Sequence, residues 1–242
     1  MMRLPARLTT KMARVRIAQI FSSAPPRFLL HCVDPEEVLH PGSHAPVSRE
    51  RMRGLMAEPA PVIWIGGSEP LVHPGIGHFV RAIGHGHYVF LETDGTLLRR
   101  RIHEFEPGPQ VFLTVRLDSR QATMSSLAVE GLRAARLSGF FTVVHSLVQE
   151  DAAPVPLGTL RRFIKETDVD GWLITAASGA EAAVRKAAEA RGMIPSGFWR
   201  QFSEHVEEAI LAQAPRRELH ATTCSAAETP RPEAREQRVS VT

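Results

Sequence analysis

PVIWIGGSEPLVHPGIGHFVRAIGHGHYVFLETDGTLL, residues 61–98, is the stretch whose reading decides the fold. Two apolar runs, PVIWIGG at 61–67 and YVFLET at 88–93, have the length and β-branched or aromatic make-up of strands. Between them, from about Pro74 to Gly84, the spacing predicts a helix. Runs this apolar along their whole length are buried on both faces, as in parallel sheets whose crossovers are helices.

The same unit repeats outward. Downstream come a helix at 96–105, a strand VFLTVRLD at 111–118, a helix at 121–138, a strand FFTVVHSLV at 140–148, a helix at 157–167 and a strand GWLITAA at 171–177. Two helices, at about 180–191 and 196–213, follow. Upstream, a helix opens at Ser48, which stands as its N-cap. Between Ser22 and Val47 five prolines mark a long irregular loop. Before it, RVRIAQI at 14–20 suits a short strand, although a helical reading through Leu4, Leu8, Met12 and Val15 competes. A strand followed by a helix six times over predicts an α/β chain forming a partial (β/α)6, TIM-like barrel with outer helices. The expected organisation is a basic N-terminal helix over 1–13, the barrel domain over 14–214 and a mobile tail over 215–242. In such folds ligands bind at the carboxyl ends of the strands.

The 242 residues are 43% hydrophobic and 23% charged, an ordinary globular balance that excludes wholesale disorder and fibrous classes. No run reaches the roughly 18 apolar residues of a membrane span, and the basic head lacks a signal-peptide core, so the reading is cytoplasmic. A net charge of +3, with bases scattered among acids beyond the head, makes no strong nucleic-acid argument. The head itself (Arg3, Arg7, Lys11, Arg14, Arg16) precedes the first acid, Asp34, and offers a peripheral membrane contact. With only Cys32 and Cys224, far apart, there is neither a disulfide framework nor a CxxC pair. Nor is there a nucleophile elbow, a phosphate loop or a GxGxxG run.

Polar residues recur at the expected strand ends: Gly66, Gly67, Ser68 and Glu69 after the second strand, Thr93 and Asp94 after the third, Arg116 and Asp118 after the fourth, and His145 on the fifth. Singly, these are helix caps and turn residues. In order, GGSEPLVHP (66–74), ETDGTLL (92–98) and VRLDS (115–119) resemble the radical S-adenosylmethionine enzymes, whose corresponding segments read approximately GGEPLLHP, TNGTLL and SLDG. The resemblance spans about Arg14 to Ser178. Within that group, RRRIHEFEPGPQVFLTVRLDS (99–119), TVVHSLVQED (142–151) and VDGWLITAAS (169–178) are most similar to adenosylhopane synthases. The resemblance implies a barrel of the radical S-adenosylmethionine type. It also implies that Gly67, Ser68 and Glu69 face the methionyl ammonium, with Gly66, Thr93, Asp94, Arg116, Asp118 and His145 as further cofactor residues. Ser68 stands where the family has its second glycine.

The family's CxxxCxxC triad, three thiolates for a [4Fe-4S] cluster in the loop after strand one, is not in this chain. Placing Cys32 third puts Pro25 and Leu29 at the other positions, and placing it first puts Glu36 and Leu39 there. Cys32 is the sole candidate metal ligand of that triad, and without the cluster the adenosyl radical does not form. His31, Cys32, His40 and His44 share one loop in this reading but lack the spacing of a zinc site. Among the remaining histidines, His78, His85 and His87 read as surface residues, and His73 holds the family's His-Pro position. Three functions stay open. The first is a cluster-free protein with a pocket for S-adenosylmethionine or another small molecule; the second is a radical enzyme with an atypical cluster; the third is an interaction protein that uses the barrel as scaffold for a protein partner.

Overall fold

The computed structural model describes residues 5–21, 29–39, 49–118, 125–151 and 154–225. In chain order the elements are α1 (Ala6–Ile20), β1 (Leu30–Val33), α2 (Pro35–Leu39), α3 (Arg49–Met56), β2 (Val62–Ile65), α4 (Ile76–Gly84), β3 (Tyr88–Thr93) and α5 (Leu98–Arg101). Then follow β4 (Val111–Asp118), α6 (Ser126–Leu137), β5 (Phe141–Val148), α7 (Pro154–Thr167), β6 (Gly171–Ala176), α8 (Glu181–Ala190) and α9 (Gly197–Ser225). The six strands pair in sequence order, every neighbour parallel, into a curled half-barrel flanked by helices.

Strand parity divides the sheet into two faces. On the concave side the register row Trp64, Phe90, Phe112 and Phe141 builds an aromatic wall. Trp64 and Phe90 stack at 5.6 Å, Phe90 and Phe112 at 4.3 Å, and Phe112 meets Phe141 at 5.1 Å. Such cross-strand aromatic pairs add to area burial and pin the register. The convex side carries Ile63, Ile65, Leu91, Leu113 and Val144 against α4, α6 and α8.

Six strands do not close a barrel, and α9 occupies the gap. It touches both edge strands, β6 and β1. Phe202 reaches the aromatic wall 4.9 Å from Phe90. A methyl group on Gly171 would strike the Trp199 ring at 2.7 Å, so the glycine is what lets the indole lie on β6. The outward N–H groups of β6 are satisfied by side chains: Ile174 N–H donates to Ser203 Oγ at 3.2 Å and Ala176 N–H to Glu207 Oε2 at 2.6 Å. Glu207 is in turn paired with Arg191, so both charges are compensated in a buried place.

Several expectations are corrected. RVRIAQI is not a strand: it is the second half of α1, because Leu8, Met12 and Val15 lie one helical turn apart and pack on the core, while Ile17 points out. The true first strand, Leu30–Val33, lies inside the segment read as irregular loop, and α2 follows it. Cys32 is therefore a strand residue and not a member of the loop after strand one. The helix expected over 96–105 shortens to α5 plus a 3-10 turn at Ile102–Glu104, and α6 begins only at Ser126. Ser48, the expected N-cap of α3, lies outside the described residues. The stretch read as a tail from Pro215 begins within α9; 226–242 lie outside the described residues. His87 is buried, its Nε2 2.9 Å from the Glu58 carbonyl oxygen, against the surface expectation.

Candidate functional site

At the carboxyl end of the concave face, directly above the aromatic wall, the side chains turn polar. Two residues beyond Phe90, strand parity brings Glu92 to the same side, and two beyond Thr114 it brings Arg116. His145 lies beside Arg116 in register, and Thr175 follows on β6. His145 Nδ1–H donates to Glu92 Oε1 at 2.6 Å, and His145 Nε2 lies 2.8 Å from Thr175 Oγ1. Arg116 Nη1 donates to the Gly67 carbonyl oxygen at 2.9 Å and stands 3.9 Å from Glu92 Oε2. His145 and Thr175 are fully buried and Glu92 nearly so, whereas Arg116 keeps 29% of its side chain exposed. The guanidinium is thus the part of this cluster that meets the outside.

Burial by itself would raise the Glu92 carboxyl. Hydrogen bonding and charge from His145, the Arg116 charge and a hydrogen bond from the Trp64 indole outweigh it, and the carboxyl is held below its ordinary value. The edge of the His145 ring also meets Trp64 at 5.3 Å. One polar atom here has no partner: Thr114 Oγ1 is buried and makes no hydrogen bond. A buried hydroxyl left alone costs about 1–3 kcal/mol, so Thr114 is a local cost to stability beside the cluster.

The glycines are fixed by this cluster. A Cβ on Gly66 would collide with Glu92 Oε2 and with the Trp64 indole nitrogen, so the carboxylate needs a glycine beneath it. Gly67 has φ 113°, in the region that favours glycine, and this turns its carbonyl toward Arg116. Ser68 carries no such strain; its φ is negative, and its hydroxyl donates to Asp34 Oδ1 at 2.5 Å while accepting from Glu36 N–H at 3.2 Å.

Glu69, Thr93 and Asp94 form a separate knot on the rim. Glu69 Oε1 accepts from Leu71 N–H at 3.0 Å and from the Thr93 hydroxyl at 2.7 Å, and Oε2 accepts from Asp94 N–H at 2.9 Å. Asp94 in turn accepts from the backbone and hydroxyl of Thr96. Burial pushes the Glu69 carboxyl up, against the lowering effect of those donors. The carboxylate therefore caps the turn after β2 and ties it to the end of β3. An ammonium ion there would compete with three donors already in place.

The structure thus brings Gly66, Gly67, Arg116 and His145 together, and places Ser68, Glu69, Thr93 and Asp94 in the rim turns. Asp118 ends β4 opposite Leu147; its side chain lies outside the described residues. Cys32 is buried opposite Trp64 in register, one row below the polar cluster. His31, its neighbour on β1, faces the other way, with Nδ1 3.7 Å from Glu58 Oε2, so the two cannot share one ion. His40 and His44 lie outside the described residues. Among the described residues there is no group of three or more His, Cys, Asp or Glu arranged to hold a metal. A three-thiolate cluster does not fit a chain with two cysteines, one of them in mid-strand.

The sequence reading missed Glu92, Thr175, Trp64 and the unpartnered Thr114. The signal for Glu92 was present: a carboxylate in an otherwise apolar strand, at the parity of Phe90. Thr175 needed the register of β6 against β5, which no single strand carries. A groove between α4 and the approach to β4, lined by Val80, Arg81, His85, Phe105 and Gln110, lies at the opposite end of the sheet and shares none of these residues. Chemically the concave cluster can hold a proton along a carboxylate, imidazole and hydroxyl chain, and offer a guanidinium to an anionic group. Compared with protein-family models and with curated proteins, the chain matches none.

Proposed function

We propose that the chain binds a small anionic or zwitterionic organic molecule at the carboxyl end of its half-barrel, with S-adenosylmethionine the first candidate, and that it does so without an iron–sulfur cluster. The observation that carries this reading is the partly exposed Arg116 guanidinium above the buried Glu92, His145 and Thr175 chain. Parallel α/β folds place their ligands at this end of the sheet. The resemblance in GGSEPLVHP, ETDGTLL and VRLDS supports the choice of ligand and of a fold of the radical S-adenosylmethionine type. The cofactor's carboxylate suits Arg116, the one member of the cluster that is partly exposed. Its ammonium finds Glu69 already engaged, so Arg116 replaces Glu69 as the main anchor in this reading.

Equilibrium dialysis and thermal shift with S-adenosylmethionine test it. Binding is expected for the parent chain and for the surface variant Glu130→Ala, with a loss of about tenfold or more in Arg116→Ala, the scale of one charge-assisted contact. Equal binding by Arg116→Ala and the parent overturns the site, and no binding by the parent overturns the ligand. Iron and sulfide after anaerobic reconstitution, beside Cys32→Ala, are expected at background in both. About four irons per chain, lost in the variant, would restore the radical-enzyme reading.

A further inference from the structure

We propose that the outer face of α1 docks this protein on the surface of an anionic phospholipid bilayer. The helix has two faces. Leu8 and Met12 are buried and Val15 packs against the core, while the Lys11 ammonium donates to the Gly86 carbonyl oxygen at 2.9 Å and lies over the Tyr88 ring. Gly86 and Tyr88 lie at the amino-terminal end of β3, so α1 is fastened to the end of the sheet opposite the polar cluster.

The other face has no such partner among the described residues. Ile17, Ile20 and Phe21, spaced i, i+3 and i+4, lie 55%, 78% and 86% exposed, three of the seven most exposed large apolar side chains among the described residues. On a helical projection they form one stripe, with Arg7 and Arg14 along one border and Arg16 along the other, all exposed. No acidic residue occurs in α1. An apolar stripe bordered by arginines is the pattern of a helix that lies in a membrane interface, its apolar side among the acyl chains and its cations at the phosphates. No helix among the described residues is long and apolar enough to cross a bilayer, so the contact is a surface one.

Charge decides between lipid and a second copy of the chain. Two copies meeting antiparallel through this stripe would bring Arg7 and Arg14 of each against those of the other, and copies meeting parallel would set them against Arg16, with no carboxylate on α1 to pair them in either case. On the Arg16 border, Glu204 and Glu208 of α9 share the surroundings of His205 with Arg16 and soften the positive charge, so Arg7 and Arg14 carry most of the lipid attraction.

The full chain is sedimented with vesicles of phosphatidylcholine plus phosphatidylglycerol, and separately with phosphatidylcholine alone. Binding is expected on the anionic vesicles, weakened by added salt. The double variant Ile20→Ser, Phe21→Ser is expected to bind about tenfold less or worse, from the apolar area withdrawn. Arg7→Glu with Arg14→Glu is expected to abolish the preference for anionic lipid. Leu137→Ser, at an equally exposed apolar residue on α6, is expected to bind as the parent does. Because the replaced side chains are exposed, all variants should melt with the parent; Ile17→Ser serves as a second apolar variant if one does not. Equal binding to neutral vesicles, no binding to either, or unchanged binding by the apolar variants overturns the proposal. So does a dimer that Ile20→Ser, Phe21→Ser converts to monomer with no effect on vesicles, which would give the stripe to a second copy.

Discussion

Gly66 and Glu92 constrain each other, and substitutions at the two read out different physics. In Gly66→Ala the new methyl displaces the Glu92 carboxylate; overpacking of this kind costs about 1–3 kcal/mol, and urea melts should show it together with weaker ligand binding. Glu92→Gln leaves the contact surface intact but removes the charge facing His145 and Arg116, a loss of about 1.5–3 kcal/mol at neutral pH, the scale of a hydrogen bond to a charged group. The pH dependence separates the two. Because the Glu92 carboxyl is held below its ordinary 4.5, its stabilisation is complete above that value and is lost as pH falls through the folded value. Glu69, pushed above 4.5 by burial, has the opposite sense: its contribution is complete below 4.5 and is lost as pH rises through its folded value. The gap between parent and Glu92→Gln should therefore narrow in acid, while the gap between parent and Gly66→Ala, in which Glu92 keeps its charge, should change less. In the sequence Glu69 looked the more functional carboxylate because it sits in the family-like motif. Its three donors come from the turn it closes and from the end of β3, and that closure is a tertiary fact a motif does not carry.

The edge of β6 depends on two side chains of a helix that arrives later in the chain. Removing the Glu207 carboxylate, in Glu207→Ala, leaves Ala176 N–H without its acceptor and the buried Arg191 guanidinium without its counter-charge, and a loss of about 3–5 kcal/mol follows. Native-state hydrogen exchange should localise the damage: the Ala176 amide loses protection, and Ile174, held by Ser203, follows to a lesser degree. Uniform exchange across the sheet would mean that Glu207 acts on global stability alone. Elements such as β3 and β4 were legible to the residue, since YVFLET and VFLTVRLD are continuous apolar runs bounded by turn residues. β1 was not, because LHCV is four residues of strand among prolines and its partner β2 makes it a strand. The head misled in the other direction: RVRIAQI alternates like a strand, yet Leu8, Met12 and Val15 settle it as a helix once a sheet end is there to receive them.

For the molecule as a whole, the parallel curl of β2 to β6 and the position of its polar end were legible, because consecutive strand and helix units admit few arrangements; the edge strand β1 was placed one segment too early, in what is α1. The closing role of α9 was not, since no local pattern tells a helix that covers the concave face from one on the convex side. The dependence is testable: a chain ending at residue 196 should lose its cooperative melt and bind a hydrophobic dye, with helical signal partly retained. A native-like melt would show that the aromatic wall is stable uncovered. The same arrangement matters during synthesis. Ala176 and Glu207 are 31 residues apart, and ribosomes add about 5–20 residues per second, so some 2–6 seconds separate the making of the last strand from the making of its seal. For that interval Trp64, Phe90 and Phe112 form a sticky, open trough on a nascent chain. Its yield in a cell is thereby tied to whether translation of 177–207 proceeds without pausing and whether a chaperone holds the trough until the helix arrives.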